Sequence, residues 1–350
     1  VTEFLSREGN NALTEQVLKD IIKVKLGDGL NLNEEDCERA YNIINKTISV
    51  VQKPSVSLNN KTEEWLDDFK KENSDNLFYY WSRYKKNVLE DKLKPRILHE
   101  LDKTTDRIID FCGNPKLKDE PQMIKGLVMG HVQSGKTANY TGVVTKAADV
   151  GFKCIVILTT SNEALRRQTQ DRLNKEFIGR CAVTETNFDN LTNTGQNTRY
   201  PFSVTTINND FSRPALSSPQ NLNAITEPYV FVCKKNKNIL DNFIDWLTID
   251  GTNVKLQSSL LIIDDEADYA SVNTNRDDRD PTKINECIRR ILSCFHRCSY
   301  VGYTATPFAN IFIEPESDEE MESHDLFPSN FIEYIQPPDN YMGLEQMVKY

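Results

Sequence analysis

The sequence predicts an α/β fold, a parallel sheet flanked by helices, preceded by an all-helical N-terminal region. Two observations carry this. From about residue 122 the chain alternates short, wholly apolar runs with helical stretches. Runs without polar alternation suit strands covered on both faces, and so a parallel sheet between helices. Before that point, apolar residues recur at helical spacing instead.

The elements follow in order. Residues 1–118 read as helical: Leu13, Val17, Leu18, Ile21 and Ile22 share a face, and Asn33 suits the N-cap of a helix burying Cys37, Ala40, Tyr41, Ile44 and Ile48. Trp65, Leu66 and Phe69, then residues 77–84, continue the pattern. Beyond Pro95 come Leu98, Leu101, Ile108, Ile109 and Cys112, and Gly113-Asn114-Pro115 closes the region. Residues 119–350 then read as one lobe, with strands at 126–129, 154–158, 229–233, 260–263 and 299–303. Residues 185–227, rich in Asn, Thr and Ser, read as a long surface excursion, and the acidic run 314–325 as a second loop.

Composition narrows the function classes. Of 350 residues, 38% are hydrophobic and 27% charged, a globular mixture. No apolar run reaches the roughly 20 residues that cross a bilayer, and no charged-then-apolar leader opens the chain. A cytoplasmic protein without a membrane partner is expected. The eight cysteines lie mostly in apolar surroundings, as reduced thiols do. A net charge of −10 gives no bulk attraction to nucleic acid, although a local basic groove can serve inside an acidic protein. The chain opens on Val1 and stops at Tyr350, and reads as part of a longer protein.

The chemistry sits at strand ends. Gly130-His131-Val132-Gln133-Ser134-Gly135-Lys136-Thr137 follows an apolar run and precedes a helix. Glycines let backbone N–H groups curl around phosphates, and the helix N-terminus faces them. Lys136 would reach the terminal phosphates of ATP and the Thr137 hydroxyl would ligate magnesium. Gly130, Gln133, Ser134 and Gly135 complete the loop. Leu261-Ile262-Ile263-Asp264 then leads into Asp265-Glu266-Ala267-Asp268. Hydrolysis needs one carboxylate to hold magnesium, here Asp265, and one to orient the attacking water, here Glu266.

Tyr303-Thr304-Ala305-Thr306-Pro307 follows the last strand. A phosphate loop, D-E-A-D and T-A-T in this order resemble the pattern of superfamily-two helicases, and the resemblance implies a RecA-like P-loop NTPase lobe. Thr304 and Thr306 would couple hydrolysis to a strand-binding groove. Thr160, Arg166 and Gln168, after the second strand, match a nucleic-acid backbone position, or else form a capped amphipathic helix with solvated arginines. Lys234 and Lys235 raise the same pair of readings. Gln122 and Phe111 are candidates for the adenine contact.

The residues from 126 to 142, with Lys146-Ala147-Ala148-Asp149, resemble the Z-one domain family. So do 165–173, 264–269, 303–310, 325–328 and 341–344. The resemblance implies a bacterial superfamily-two ATPase, often labelled an endonuclease. It would work with DNA, alongside methyltransferase, ATPase or nuclease partners, in restriction or phage-defence systems. Such motors close ATP between two lobes, and too little chain follows residue 310 for the second. This chain alone is therefore expected to bind ATP and turn it over poorly.

No nuclease constellation stands out: His99, His131, His296 and His324 are scattered. Cys287, Cys294 and Cys298 fall on one face if they share a helix, which favours packed thiols over a zinc site. Residues 78–81, followed by Arg83, Lys85, Lys86, Lys92, Lys94 and Arg96, offer a stacking and phosphate surface or, the favoured reading, a helix with an aromatic core face and a solvated basic face. Beside the motor reading stands an alternative: an ATP-gated switch or scaffold that recruits a partner nuclease without translocation.

Overall fold

The computed structural model describes residues 56–59, 64–73, 78–117, 121–130, 134–181, 186–187, 199–212, 222, 226–248, 255–269, 271, 283–306, 326 and 328–336. The helices expected at 13–22 and 33–48, the acidic run 314–325 and the segment 341–344 lie outside them.

The strands are β1 (Val56–Asn59), β2 (Gln122–Gly130), β3 (Cys154–Thr159), β4 (Arg180–Cys181), β5 (Thr186–Asn187), β6 (Phe202–Ser203), β7 (Tyr229–Lys234), β8 (Leu256–Asp265), β9 (Phe295–Thr304) and β10 (Phe331–Ile335). The helices are α1 (Leu66–Glu72), α2 (Tyr79–Tyr84, widening into a π turn at Lys85–Leu89), α3 (Pro95–Phe111), α4 (Lys136–Val150), α5 (Glu163–Leu173), α6 (Lys237–Leu247) and α7 (Lys283–Ser293). Eight strands form one sheet in the order β1-β10-β2-β9-β8-β3-β7-β6. Seven run parallel, and β1 pairs antiparallel at the edge.

Alternation along each strand divides the core. Ile155, Ile157, Leu261 and Ile263 face a cluster shared with α1, α3 and α4. Val156, Leu158, Leu260 and Ile262 face the opposite cluster, shared with α6 and α7. All eight side chains are buried, each contributing roughly 1.5–3 kcal/mol of hydrophobic stabilisation. This is the three-layer arrangement that a parallel sheet with helical crossovers requires. Local signals start the helices: Pro95 stands at the first position of α3, and Asn162 and Asn236 cap α5 and α6 through their side-chain oxygens.

Several expectations need correction. Residues 1–118 are not all helical, because β1 lies among them. Its partner β10 is far along the chain, so no local periodicity marks it. The helices α1 to α3 also share a core with the sheet, so that stretch packs as a layer of the lobe. Part of the expected surface excursion is built in: β6 extends the sheet, and Phe211 and Leu222 are buried against α6. The last central strand begins at Phe295, so Cys298 stands on β9 while Cys287 stands on α7. By contrast, the aromatic face of α2 is core as expected, with Tyr80, Trp81 and Tyr84 buried.

Candidate active site

Ligands of open parallel sheets sit beyond the carboxyl ends of the strands. Here β2, β9 and β8 are neighbours, with Met129 opposite Thr304 and Tyr303 opposite Asp265. The glycine loop, the T-A-T segment and the acidic turn therefore leave the sheet side by side at one level.

The loop curls tightly into α4. Gly135 has φ +87°, a conformation that L side chains rarely adopt. A Cβ at Gly130 would stand 2.4 Å from the Ser134 hydroxyl, so Ser134 lies directly against the end of β2. That hydroxyl is buried without a hydrogen-bond partner, directly before a helix N-terminus. An orphan polar atom in this place fits an anionic ligand. Lys136 Nζ donates to the Gly130 carbonyl at 2.8 Å. Burial lowers its pKa from the ordinary value, while Glu266, Asp265 and Asp268 pull the other way. One lysine and three carboxylates thus share one space. His131, Val132 and Gln133 lie outside the described residues. Behind the loop, the Tyr303 hydroxyl donates to Asn139 Oδ1 at 2.8 Å, and the Tyr140 and Tyr303 rings meet edge-on at 5.7 Å. These contacts fix the first turn of α4 to β9.

The acidic turn is strained and closely held. Glu266 is exposed and has φ +57°, the one non-glycine in the left-handed region among the described residues. Such a residue costs about 1–3 kcal/mol and persists only where its surroundings over-determine it. Here Ala267 N donates to Tyr303 O and Tyr269 N to Glu266 O, both at 2.9 Å. Thr304 Oγ1 donates to Asp268 Oδ1 at 2.8 Å, and Thr306 Oγ1 donates to Asp268 Oδ2. Half-buried Asp265 has its carboxyl pushed up to about 6 by burial and then by Glu266 and Asp264, against Lys235 and Lys136. Asp268 and Asp264, which flank the two assigned carboxylates, are both built into this turn.

Lys235 is not at the surface. Its side chain and that of Asp264 are both 0% exposed and ion-paired at 2.8 Å. Nζ also donates to the carbonyls of Glu266 at 2.5 Å and Tyr269 at 3.0 Å. The Tyr300 hydroxyl takes the other Asp264 oxygen at 2.7 Å. Lys235 is therefore committed inward and is not a nucleic-acid contact, because the strand end it follows abuts the acidic turn.

Arg166 is corrected in the same way. It is fully buried, pairs with Glu163 at 2.7 Å and donates to the carbonyls of Thr206 and Ile207 at 2.9 Å. Lys234 is largely covered and pairs with Glu163 at 2.8 Å. Arg166 first, with Lys234 and Arg167, holds the Glu163 carboxyl down to about 2. Gln168 is exposed on α5, Thr160 is half-buried beside it, and Arg167 is exposed although bonded to Glu163. Gln122 is overturned as an adenine contact: it opens β2, whose other end carries the loop about 26 Å away at 3.3 Å per residue. Phe111 is packed against Phe331.

Among the described residues no group of three or more His, Cys, Asp or Glu could hold a metal ion as a cage. Magnesium requires none, since one or two carboxylates plus substrate phosphates hold it. Asp265 and Thr137 are of the right chemistry. The sulfur atoms of Cys287, Cys294 and Cys298 turn to three separate oxygens, those of Asp241, Arg290 and Leu292. No helix among the described residues is long and apolar enough to cross a membrane.

No protein-family model and no curated protein matches the chain. Among solved structures, a chain of the E. coli MS115-1 HORMA:CdnC:Trip13 complex is similar at 12% identity and a TM-score of 0.24, over 81% of this chain and 69% of that one. A likeness of that size carries no functional argument.

Proposed function

We propose that this chain is the ATP-binding lobe of a superfamily-two, DNA-dependent ATPase resembling the Z-one family, acting in the cytoplasm in a restriction or phage-defence system. One observation carries the reading: three adjacent parallel strands deliver the glycine loop, the T-A-T segment and the acidic turn to one level. An isolated loop match would not require the other two to arrive beside it.

In this reading the loop amides and the α4 N-terminus bind the phosphates, and Lys136 leaves the Gly130 carbonyl for the terminal oxygens. Thr137 and Asp265 would hold magnesium, which when bound neutralises charge on the transferring phosphate. Glu266 orients the attacking water. Asp268 links the turn to Thr304 and Thr306, so a shift of the T-A-T segment reaches the hydrolytic carboxylate. Exposed Arg167 and Gln168, with half-buried Thr160 ahead of α5, offer a polar surface near these strand ends for a DNA backbone.

The test uses full-length protein and a fluorescent ATP analogue with magnesium. Lys136→Ala is expected to weaken analogue binding at least about tenfold. Glu266→Gln is expected to keep binding and abolish hydrolysis. If biological activity survives Glu266→Gln but not Lys136→Ala, ATP works as a switch that recruits a partner, and the motor reading fails.

A further inference from the structure

We propose that Lys235 is the positioning residue of the acidic turn, holding the left-handed bend that aims the Glu266 carboxylate at the nucleotide site. The inference rests on the ATPase reading of that site. Its basis is a convergence of contacts on one ammonium. Nζ donates to the Glu266 carbonyl at 2.5 Å and the Tyr269 carbonyl at 3.0 Å, and its charge is paired with the buried Asp264 carboxylate at 2.8 Å.

The two carbonyls bracket the turn. Holding both inward fixes the peptide planes at either end of Ala267-Asp268-Tyr269, the first of them directly after Glu266 with its φ of +57°. The lysine is itself held, because its backbone N–H donates to Thr159 O at 3.0 Å across from β3. The bend is thus referenced to the middle of the sheet and does not depend on the loop alone. A compact ammonium suits two carbonyls and a carboxylate that converge on one point, whereas the planar fork of arginine does not.

The ion pair is a poor device for stability. Burying two charges consumes most of what their attraction returns, and apolar replacements are often neutral. Its distinctive product here is geometry, at the one strained residue that the proposed reaction needs.

The test separates geometry from stability. Lys235→Met alone leaves Asp264 buried and unpaired, so it is combined with Asp264→Asn, which removes the charge and keeps an acceptor for Tyr300. In full-length protein, the double variant is expected to unfold within about 4 °C of the parent and to bind the fluorescent ATP analogue within about threefold of it. Its kcat is expected to fall about 100-fold, the scale of a misplacement near 1 Å. A parent-like kcat overturns the proposal. So does a joint loss of stability, binding and turnover, which would make the pair merely structural. A parent protein that binds the analogue no better than Lys136→Ala overturns the ATPase reading itself, and this inference with it.

Discussion

Thr304 donates a 2.8 Å hydrogen bond to the carboxylate of Asp268, and the second oxygen of that carboxylate takes the hydroxyl of Thr306. Thr306 N also donates to Thr304 Oγ1 at 2.9 Å, so the three side chains form one closed unit. Thr304 is buried and Thr306 is exposed, and the unit spans from the sheet to the surface.

Asp268→Ala should therefore disconnect the segment without emptying the nucleotide site. The expected outcome is analogue binding within about threefold of the parent, with the stimulation of hydrolysis by single-stranded DNA lost. Steady-state ATPase assays with and without DNA check this. Stimulation persisting in the variant would remove Asp268 from any coupling role.

The strand ends were legible because each apolar run stops abruptly at glycines, carboxylates or hydroxyls, residue types foreign to a buried strand interior. The sheet interior was legible for the same reason. What stayed hidden depends on contacts between distant segments. Lys235 and Arg166 look like solvated cations in the sequence, and nothing local announces that Asp264 or Asp210 will meet them. The β1 and β10 strands are short, and their partners are distant: β1 pairs with β10, and β10 with β2. The strain at Glu266 has no sequence mark, since glutamate is an unusual choice for a left-handed turn.

Arg166 and Arg167 are adjacent in sequence and should behave oppositely. Arg166→Ala leaves Glu163, Asp210 and two carbonyls without their buried donor. A loss of about 3 kcal/mol or more in urea unfolding is expected. Arg167→Ala should change stability by less than about 0.5 kcal/mol. If DNA binds along α5, Arg167→Ala is the variant that weakens it, as fluorescence anisotropy would register.

Lys146 lies 2.6 Å from Asp102 and 2.7 Å from Asp106, over the Trp81 ring at 4.3 Å, with 1% of its side chain exposed. Burial acts to raise the Asp102 pKa, but Lys146 and then Lys85 bring it below the ordinary carboxylate value. Lys146→Met should cost about 3 kcal/mol in urea unfolding at pH 7, the low end for a broken buried pair because both aspartates keep some solvent. The Asp102 contribution is present above its ordinary pKa and is lost as pH falls through the folded value. The difference between parent and variant should therefore shrink toward acid pH.

Asp265 works in the reverse direction. Its folded pKa, about 6, lies above the ordinary 3.8. The stability it contributes is full below 3.8 and is lost as pH rises through about 6. Between pH 5 and pH 7.5, Asp265→Asn should lose less stability than the parent. Over the same window, magnesium-dependent binding of the ATP analogue should strengthen with pH in the parent, as the carboxylate becomes charged.

The pairing of β10 with the loop strand β2 also bears on how the chain folds during synthesis. Ser57 and Glu333 meet across β1 and β10 although 276 positions separate them, and Arg107 of α3 reaches the same buried glutamate at 2.9 Å. Until the ribosome has released β10, β2 has β9 on one side and bare backbone on the other. The strand that carries the glycine loop thus keeps an open edge until residue 335 has been added, and open edges recruit other chains. Nascent forms ending before residue 331 should be the species that chaperones engage and that aggregate, with solubility returning once the late strand closes the sheet.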